Sequence, residues 1–583
     1  MKKILLPILA GLITLTSCSD FLDSKNIFSK DLNSFYSNPT EVSEAVAGLY
    51  LAMYNGDAKS EVYMAANITD DIILGGGEAG GEHCFFLDGY QDPGVDTYRE
   101  LWTNTYAGVY RANALIERLS DPELDLNTYF SSEAEADAFV AQALGEAYFM
   151  RAFFYFRASQ MFGALPLIVT SNGDRDVPRS PISDIYALIG YDLQTAIATF
   201  PNKNATAYAA TDYGHANKWV AQAYLGRAFL FYTGYMTNIE GQATDAIPAR
   251  ADIEGAVGVT KGDVIAALDD CINNSGYALL SDFRNLWPYS YVNEASVLYG
   301  DPAGDNKLPW AKTEGLAWAG QDGFTTAVGT GNSEVMFSIR YAFGNWSVDS
   351  QKRTNKMCLY FGMRDNTLQP FFQGWGWGPI HPGFVDNWSD DDLRKKGSVL
   401  VANDAENGTA GFQEKPSKHF SGIVQKKYQT LAITGEEYGT AGLFNYIYSE
   451  PNLDMQLRHA QDFILLRFAD VLLMKDELSE TATGMNALRA RAGLEPVSYS
   501  IEALKEERLH EFAFEALRWF DLVRWGDIYN GNNFYGVEAK VKNDGIEVAY
   551  TMTPPAEQKG LFPVPESEIA IANEVYTQNP GWE

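Results

Sequence analysis

Apolar residues recur at helical spacing in the first and last thirds of the chain and lose that spacing between them. In "VAQALGEAYFMRAFFYF", Val140, Ala143, Leu144, Ala147, Met150 and Phe154 share one helical face, with small residues set between aromatics. Alanine on a face lets two helices approach closely. The same periodicity predicts helices over Val42–Met53, Tyr98–Leu119, Val264–Asn274, Phe463–Leu478 and Ile501–Trp525. The last is the best marked: Ser500 can cap it and Glu502 falls in its first turn. Phe512, Ala516, Trp519, Phe520 and Val523 form its apolar stripe before Gly526 stops it.

"WVAQAYLGRAFLFYTGY", from Trp219, shares Val-Ala-Gln-Ala and Arg-Ala-Phe with the earlier helix, the two strings being spaced four residues differently. That is the texture of tetratricopeptide-type helix pairs and not of an exact repeat. Between about Tyr289 and Gly439 the pattern turns to Gly, Pro, Trp and short β-like runs such as "EVMFSIRY" (Glu334 to Tyr341). Helices flank this zone on both sides, so it reads as an insertion-like subdomain on a helical scaffold. The expected fold class is mainly α: tetratricopeptide-like helix pairs carrying an irregular, loop-rich subdomain with short β elements.

Composition narrows the partners. In 583 residues, 44 Lys and Arg stand against 76 Asp and Glu, and the net charge of -32 repels nucleic acid and anionic lipid. Aromatics make up 13%, with 33 Tyr, 33 Phe and 12 Trp, more than a core obviously needs, so some are expected to face a ligand or partner. The start, "MKKILLPILAGLITLTSCSDFLD", has two lysines, an apolar run too short to span a bilayer comfortably, then small residues ending at Cys18. This order predicts a lipoprotein signal peptide over 1–17, with acyl chains on Cys18 tethering the mature chain. Cys84, Cys271 and Cys358 are far apart and form no CxxC; they read as buried small hydrophobes, with no disulfide framework and no zinc site.

Several motifs fail at a required residue. "GGGEAG" satisfies G-x-G-x-x-G through Gly75, Gly77 and Gly80, yet no helix follows to hold a phosphate, and Asp70, Asp71, Glu78 and Glu82 surround it. "RLHEFAFEAL" begins like H-E-x-x-H, but Phe514 stands where the second histidine belongs, leaving His510 a surface or interhelix residue. There is no G-x-S-x-G, and "DNWSDDDLRKKG" lacks the glycine of a calcium loop. No stretch points to a pair of catalytic carboxylates. The tryptophans are the positive signal. Trp287, Trp310, Trp318, Trp375 and Trp377 crowd the irregular zone, the last two in "QGWGWGPIHPGF". Sugar rings stack their C–H faces on indole and phenol while amides and carboxylates bond the hydroxyls, so the pattern suits a neutral glycan; loop packing is the competing reading for each ring.

Taken in order, several stretches resemble the SusD/RagB family of surface glycan-binding lipoproteins. They are "CSDFLD", "LWTNTYAGVYRANALIERL", "GEAYFMRAFFYFRASQMFGALPLI", "NSEVMFSIRY", "DFILLRFADVLLMKDEL" with "MNALRARAGL", "ERLHEFAFEALRWFDLVRWG", "LFPVPESEI" and "QNPGW". The resemblance implies a scaffold of four tetratricopeptide-like helix pairs and a non-enzymatic lid that delivers oligosaccharide to a SusC-like TonB-dependent transporter at the outer membrane. It implies an N-terminal helical region over 18–288, an irregular glycan-binding subdomain over 289–439 and a C-terminal helical region over 440–583, with no cofactor and no metal. Ligand contacts are expected at Trp287, Tyr289, Trp310, Trp318 and Trp377, and at Asp70 and Asp71 in the loop after the first helices. Asp392 and Arg394 match the family's Asp-x-Arg element, and Trp375 reads as scaffold. "SETATG" is shorter than the linker usual in the family, which predicts a trimmed helix pair or a tight turn. A surface glycoside hydrolase and a peptide-binding member of the same family are the alternatives.

Overall fold

The computed structural model describes residues 36–583 except 55–61, 78–87, 89–95, 175–176, 209–211, 293–307, 309–310, 312, 317, 320–331, 345–352, 365–369, 436–438, 448–456, 458, 530–532 and 574. Cys18 and Cys84 lie outside the described residues.

The N-terminal scaffold is built from α1 (Pro39–Leu51), α2 (Val62–Thr69), α3 (Arg99–Leu119), α4 (Glu133–Phe162), α5 (Ile182–Thr199), α6 (Lys218–Asn238) and α7 (Lys261–Asn274). α3 packs against α1, and each of α4 to α7 packs against the one before it. Local chemistry sets the ends. The Ser132 hydroxyl caps α4 by accepting from Glu135 N at 3.3 Å, and Asn217 accepts from Trp219 N and Val220 N at the start of α6. Thr260 and Asp263 form a reciprocal capping box on α7. The second half of α4 is buried on every side from Phe149 to Phe162, as a central helix must be.

The C-terminal third returns to the scaffold with α8 (Phe468–Ser479), α9 (Thr483–Arg491), α10 (Ile501–Phe512) and α11 (Arg518–Trp525). α8 packs on α7, and α11 on α6. The short linker after "MKDEL" is a tight turn. Glu480 adopts the left-handed region at φ 54°, and Asp476 accepts from Thr481 Oγ1 at 2.8 Å and Met485 N at 2.7 Å.

Two expected helices are divided. Phe463–Arg467 is a strand, β2, antiparallel to β1 (Val335–Ile339), and the helix starts only at Phe468. Both strands are buried throughout, so an apolar run of five carries no alternation to separate it from the helix that follows. The stretch 501–525 breaks after Phe512, with Phe514 at φ 68° and Ala516 at φ 60°. The break frees Ala516 N to donate to Asn67 Oδ1 at 3.0 Å, and Glu511 and Glu515, to either side of it, both bond Arg467. A hairpin of β3 (Glu538–Asn543) and β4 (Ile546–Thr551) closes through Asp544-Gly545, both at positive φ as a two-residue turn requires.

The irregular zone is fastened to this scaffold in two ways. Phe337 of β1 enters between α4 and α6, edge-on to Phe149 at 5.3 Å, Phe153 at 5.8 Å and Tyr224 at 6.0 Å. The second fastening is a buried network of charge. Arg467 Nη1 lies 2.9 Å from Glu334 and also bonds Glu511; its Nε lies 2.8 Å from Glu515 Oε2. Arg491 bonds Glu334 at 2.6 Å and also Glu511. Arg394 holds Asp392 at 2.9 Å, Glu511 at 3.1 Å and, more closely, Glu507, while Lys427 bonds Glu515 at 2.7 Å. Three guanidiniums hold the Glu511 carboxyl far below the usual range against the opposing effect of burial. Burial pulls Lys427 down to about 8 although Glu515 opposes it.

His510 packs between helices, its ring parallel to Trp388 at 4.7 Å and 6°. Burial, and then the charge of Arg394, lower it to about 3. Cys271 and Cys358 are buried free thiols.

Two outcomes are expected. Arg467→Met leaves its carboxylates uncompensated in the interior and lowers unfolding free energy by about 3–5 kcal/mol, read from urea denaturation. His510 titrates near 6.5 when unfolded, so between pH 6.5 and about 3 the unfolded chain binds one more proton and stability falls as pH falls. His510→Phe makes that slope shallower, measured as unfolding free energy against pH.

Candidate functional site

The stretch Gln373–Phe384 is tucked in and not displayed. Trp377 is buried, with its ring 4.1 Å from that of Tyr360 and its N–H donating to Tyr360 O at 2.9 Å. Trp375 N donates to Leu359 O at 2.8 Å, and its half-buried ring meets Tyr360 edge-on at 4.7 Å. The glycines permit this closeness: a Cβ on Gly76 would lie 2.4 Å from Pro379 Cδ and 2.7 Å from Gly376 O, where Gly76 pairs with Trp377 in a β-bridge. "GGGEAG" therefore opens as a backbone contact and not as a phosphate loop; Gly80 lies outside the described residues.

The other expected contacts also turn inward. Trp287 is wholly buried, edge-on to Tyr428 at 5.4 Å and under Lys427 Nζ at 5.2 Å. Tyr289 is buried, and its hydroxyl donates to Gly397 O at 2.9 Å. Asp71 takes a two-pronged bond from Arg518 at 2.7 and 2.8 Å, and Phe534 N donates to it at 3.0 Å. Asp70 accepts from Ile72 N and Ile73 N, and burial followed by the Asp71 charge raises its carboxyl well above the usual range. Trp318 is buried edge-on to Phe444 at 6.0 Å. Trp310 lies outside the described residues. These five described aromatics and acids, with Trp377, offer no free face to a ligand in this structure. They build the floor and hinge the loops, because large rings bracketed by Gly and Pro still find burial when backbone from another segment closes over them.

What remains half-exposed is a ridge where β1 leaves the core. The Arg340 guanidinium lies 4.6 Å over the Tyr213 ring, its Nη1 donates to Tyr213 O at 3.1 Å, and its Nε lies 3.2 Å from Asp462. Its side chain keeps 34% exposure. Tyr341 follows it, with N donating to Asp462 Oδ1 at 3.1 Å and its ring edge-on to Tyr54 at 5.7 Å. Burial, then Asp462, push the Tyr54 phenol up to about 12, so it stays protonated and donates to Arg340 O. Beside them His215 Nδ1 pairs with Glu146 at 2.8 Å. Burial alone would lower that histidine, but the bond and charge of Glu146 outweigh it and raise it.

Trp318 and Asp462 line a cavity of only about 20 Å³ beneath the ridge, room for a single water. Any larger ligand lies across the ridge and not within it. Phenol faces, a guanidinium and a carboxylate can stack on a ring and bond hydroxyls. Among the described residues no group of three His, Cys, Asp or Glu could hold a metal ion. Sequence reasoning overlooked this ridge. The signal was the end of "EVMFSIRY", where a cation and a phenol follow directly on a wholly apolar strand.

Helix pairs stacked as a scaffold, with an irregular subdomain pinned into it by buried charge and a half-exposed aromatic ridge at their junction, define a tetratricopeptide-like fold. The chain belongs to the SusD/RagB family. Residues 329–582 match the SusD family, and residues 20–230 match a family described as starch-binding and associating with the outer membrane. "SusD-like protein P2" of Formosa agariphila is 24% identical over 629 residues, covering all of both chains. A SusD-like protein of Bacteroides ovatus is 24% identical over 304 residues, 51% of this chain and 49% of its own. Among solved structures, a laminarin binding SusD-like protein superposes with TM-score 0.63 at 19% identity, over 94% of this chain and 100% of that one. Surface glycan-binding protein A from Bacteroides thetaiotaomicron, in complex with laminarihexaose, superposes with TM-score 0.66 at 16% identity, over 93% and 99%. The shared fold is mainly helical.

Trp287→Ala is expected to lower unfolding free energy by about 3–5 kcal/mol through the cavity it leaves. Ligand affinity measured well below the melting temperature should not change; a loss of affinity in a still-folded variant would place Trp287 in the site.

Proposed function

We propose that the chain is a non-enzymatic, cell-surface glycan-binding lipoprotein. It captures neutral oligosaccharide or polysaccharide and passes it to a SusC-like TonB-dependent transporter, tethered to the outer membrane by acyl chains at Cys18. In this reading the regions 18–288 and 440–583 supply the scaffold and 289–439 the binding subdomain. The observation that carries it is the ridge of Tyr54, Tyr213, Arg340 and Tyr341, which offers stacking faces and hydrogen-bonding charge without an enclosed pocket. The likeness of fold to proteins named for laminarin and glycan binding supports the ligand class.

Ridge and ligand divide the labour. Rings take the apolar face of a sugar, while Arg340, already oriented by the buried Asp462, bonds the hydroxyls and so limits the entropy lost on binding. A net charge of -32 favours neutral over sulfated or uronic glycans. No described helix is long and apolar enough to cross a membrane. Attachment therefore falls to Cys18 in this reading.

The test is calorimetry of the full chain in lipid nanodiscs against laminarihexaose, cellohexaose, maltohexaose and their parent polysaccharides, with reducing ends assayed in the same samples. Binding without new reducing ends is expected, with affinity falling about tenfold in Tyr213→Ala and in Arg340→Ala, a loss of roughly 1.4 kcal/mol. Release of reducing ends would make the protein a hydrolase. Silence toward every sugar, with binding to peptides, would make it a peptide-capturing member of the family.

A further inference from the structure

Away from the ridge, α3 and the C-terminal end of the chain enclose a cleft of about 500 Å³, within the range of small-ligand sites and far above the water-sized space under the ridge. Its long wall is one face of α3, where Trp102, Tyr106 and Tyr110 follow at intervals of four residues, about 12 Å along the axis. Trp102 forms the floor, 5.8 Å from Tyr576 and edge-on to Phe162 at 5.3 Å. Tyr106 leans on Trp102 at 5.4 Å, and its hydroxyl donates to Pro166 O at 3.0 Å, which fixes the ring. The opposite wall carries Ile571, 62% exposed, with Ala572 and Tyr576. Polar groups sit at the edges: Glu568, held by Arg99 Nε at 3.0 Å, lines the cleft, and Ser171, which bonds Glu117, lies near it.

We propose that this cleft is a second carbohydrate site, one that takes a short neutral oligosaccharide independently of the ridge. The proposal rests on the chain being a glycan binder. The two places share no residue and sit on different elements. Over the buried floor of Trp102, the half-buried rings of Tyr106 and Tyr110 on successive helical turns offer apolar faces at about the spacing of consecutive sugar units, and Glu568 accepts from ring hydroxyls at one end. No cation lines the cleft among the described residues, and its one lining carboxylate, Glu568, is already matched by Arg99, so the lining suits a neutral ligand. A bounded cleft of this size holds a few sugar rings, whereas a protein partner covers hundreds of Å² of surface. Two weak sites on one tethered chain hold a long polysaccharide more firmly than either alone, through effective concentration.

The experiment places 3-fluorotyrosine at position 110 or at position 213 of the full chain in nanodiscs and follows the fluorine resonance during titration with laminarihexaose, cellohexaose or maltohexaose. The expected result is a saturable shift at 110 with one of these sugars. Glu568→Ala should weaken it at least tenfold while any response at 213 stays unchanged. A shift at 213 alone overturns the second site and leaves the proposed function standing. Calorimetric binding with no shift at either position overturns both placements but not glycan binding. No binding of any of the three sugars overturns the cleft proposal, and glycan binding itself falls only if the parent polysaccharides are silent too. A response at 110 to an amphipathic leucine-rich peptide and to no sugar overturns the proposal in favour of a protein-docking groove.

Discussion

The buried charge that holds the irregular zone in place converges on the carboxylate of Glu511. Arg394, Arg467 and Arg491 all reach it, and they come from a loop-zone helix, from β2 and from α9. Glu334, at the edge of β1, shares two of those guanidiniums, and Glu507, one turn before Glu511 on α10, shares the third. Desolvating so many charges is costly, and an apolar core of equal volume could match the net stability. What apolar packing would not supply is selectivity among arrangements. A planar guanidinium bonds a carboxylate only in a narrow set of geometries, so segments remote in sequence must arrive in one register. Glu511 and Glu515, on either side of the break after Phe512, both answer to the same arginine, so the chain keeps one register across the interruption.

The sequence showed the fold wherever periodicity was uninterrupted. α3 and α7 begin within a few residues of their expected starts, because amphipathic spacing and caps act locally. The boundaries that failed were set at a distance. Nothing within Phe463–Leu478 reveals that its first five residues pair with a strand more than a hundred positions earlier. The site was less legible still. Tryptophan in a Gly- and Pro-rich loop reads equally well as platform or as packing, and only the backbone of Gly76 closing over Trp377 decides it. Asp70 and Asp71 were inviting as loop acids, yet Arg518, far along the chain, had claimed Asp71. Side-chain chemistry marked residues able to bind sugar. Burial, a property of the whole fold, is what side-chain chemistry could not show, and each of those that the structure describes is buried.

The ridge owes its rigidity to groups that lie beneath it. Asp462 holds both the Arg340 guanidinium and the Tyr341 backbone, so one buried acid orients a cation and a ring together. Tyr54, anchored to the Arg340 carbonyl, prevents the strand end from fraying. A shallow surface made in this way can be selective without being enclosed, because its polar atoms do not have to be ordered when the ligand arrives.

β1 carries a further consequence. Phe337 is locked among three rings of the scaffold, while Arg340, three residues on, is partly in solvent. Fold and recognition are thus separated by a single stretch of strand. A substitution at Arg340 alters the exposed surface without touching the rings that hold Phe337. In such an architecture the exposed strand end is free to vary while the packed frame is inherited intact.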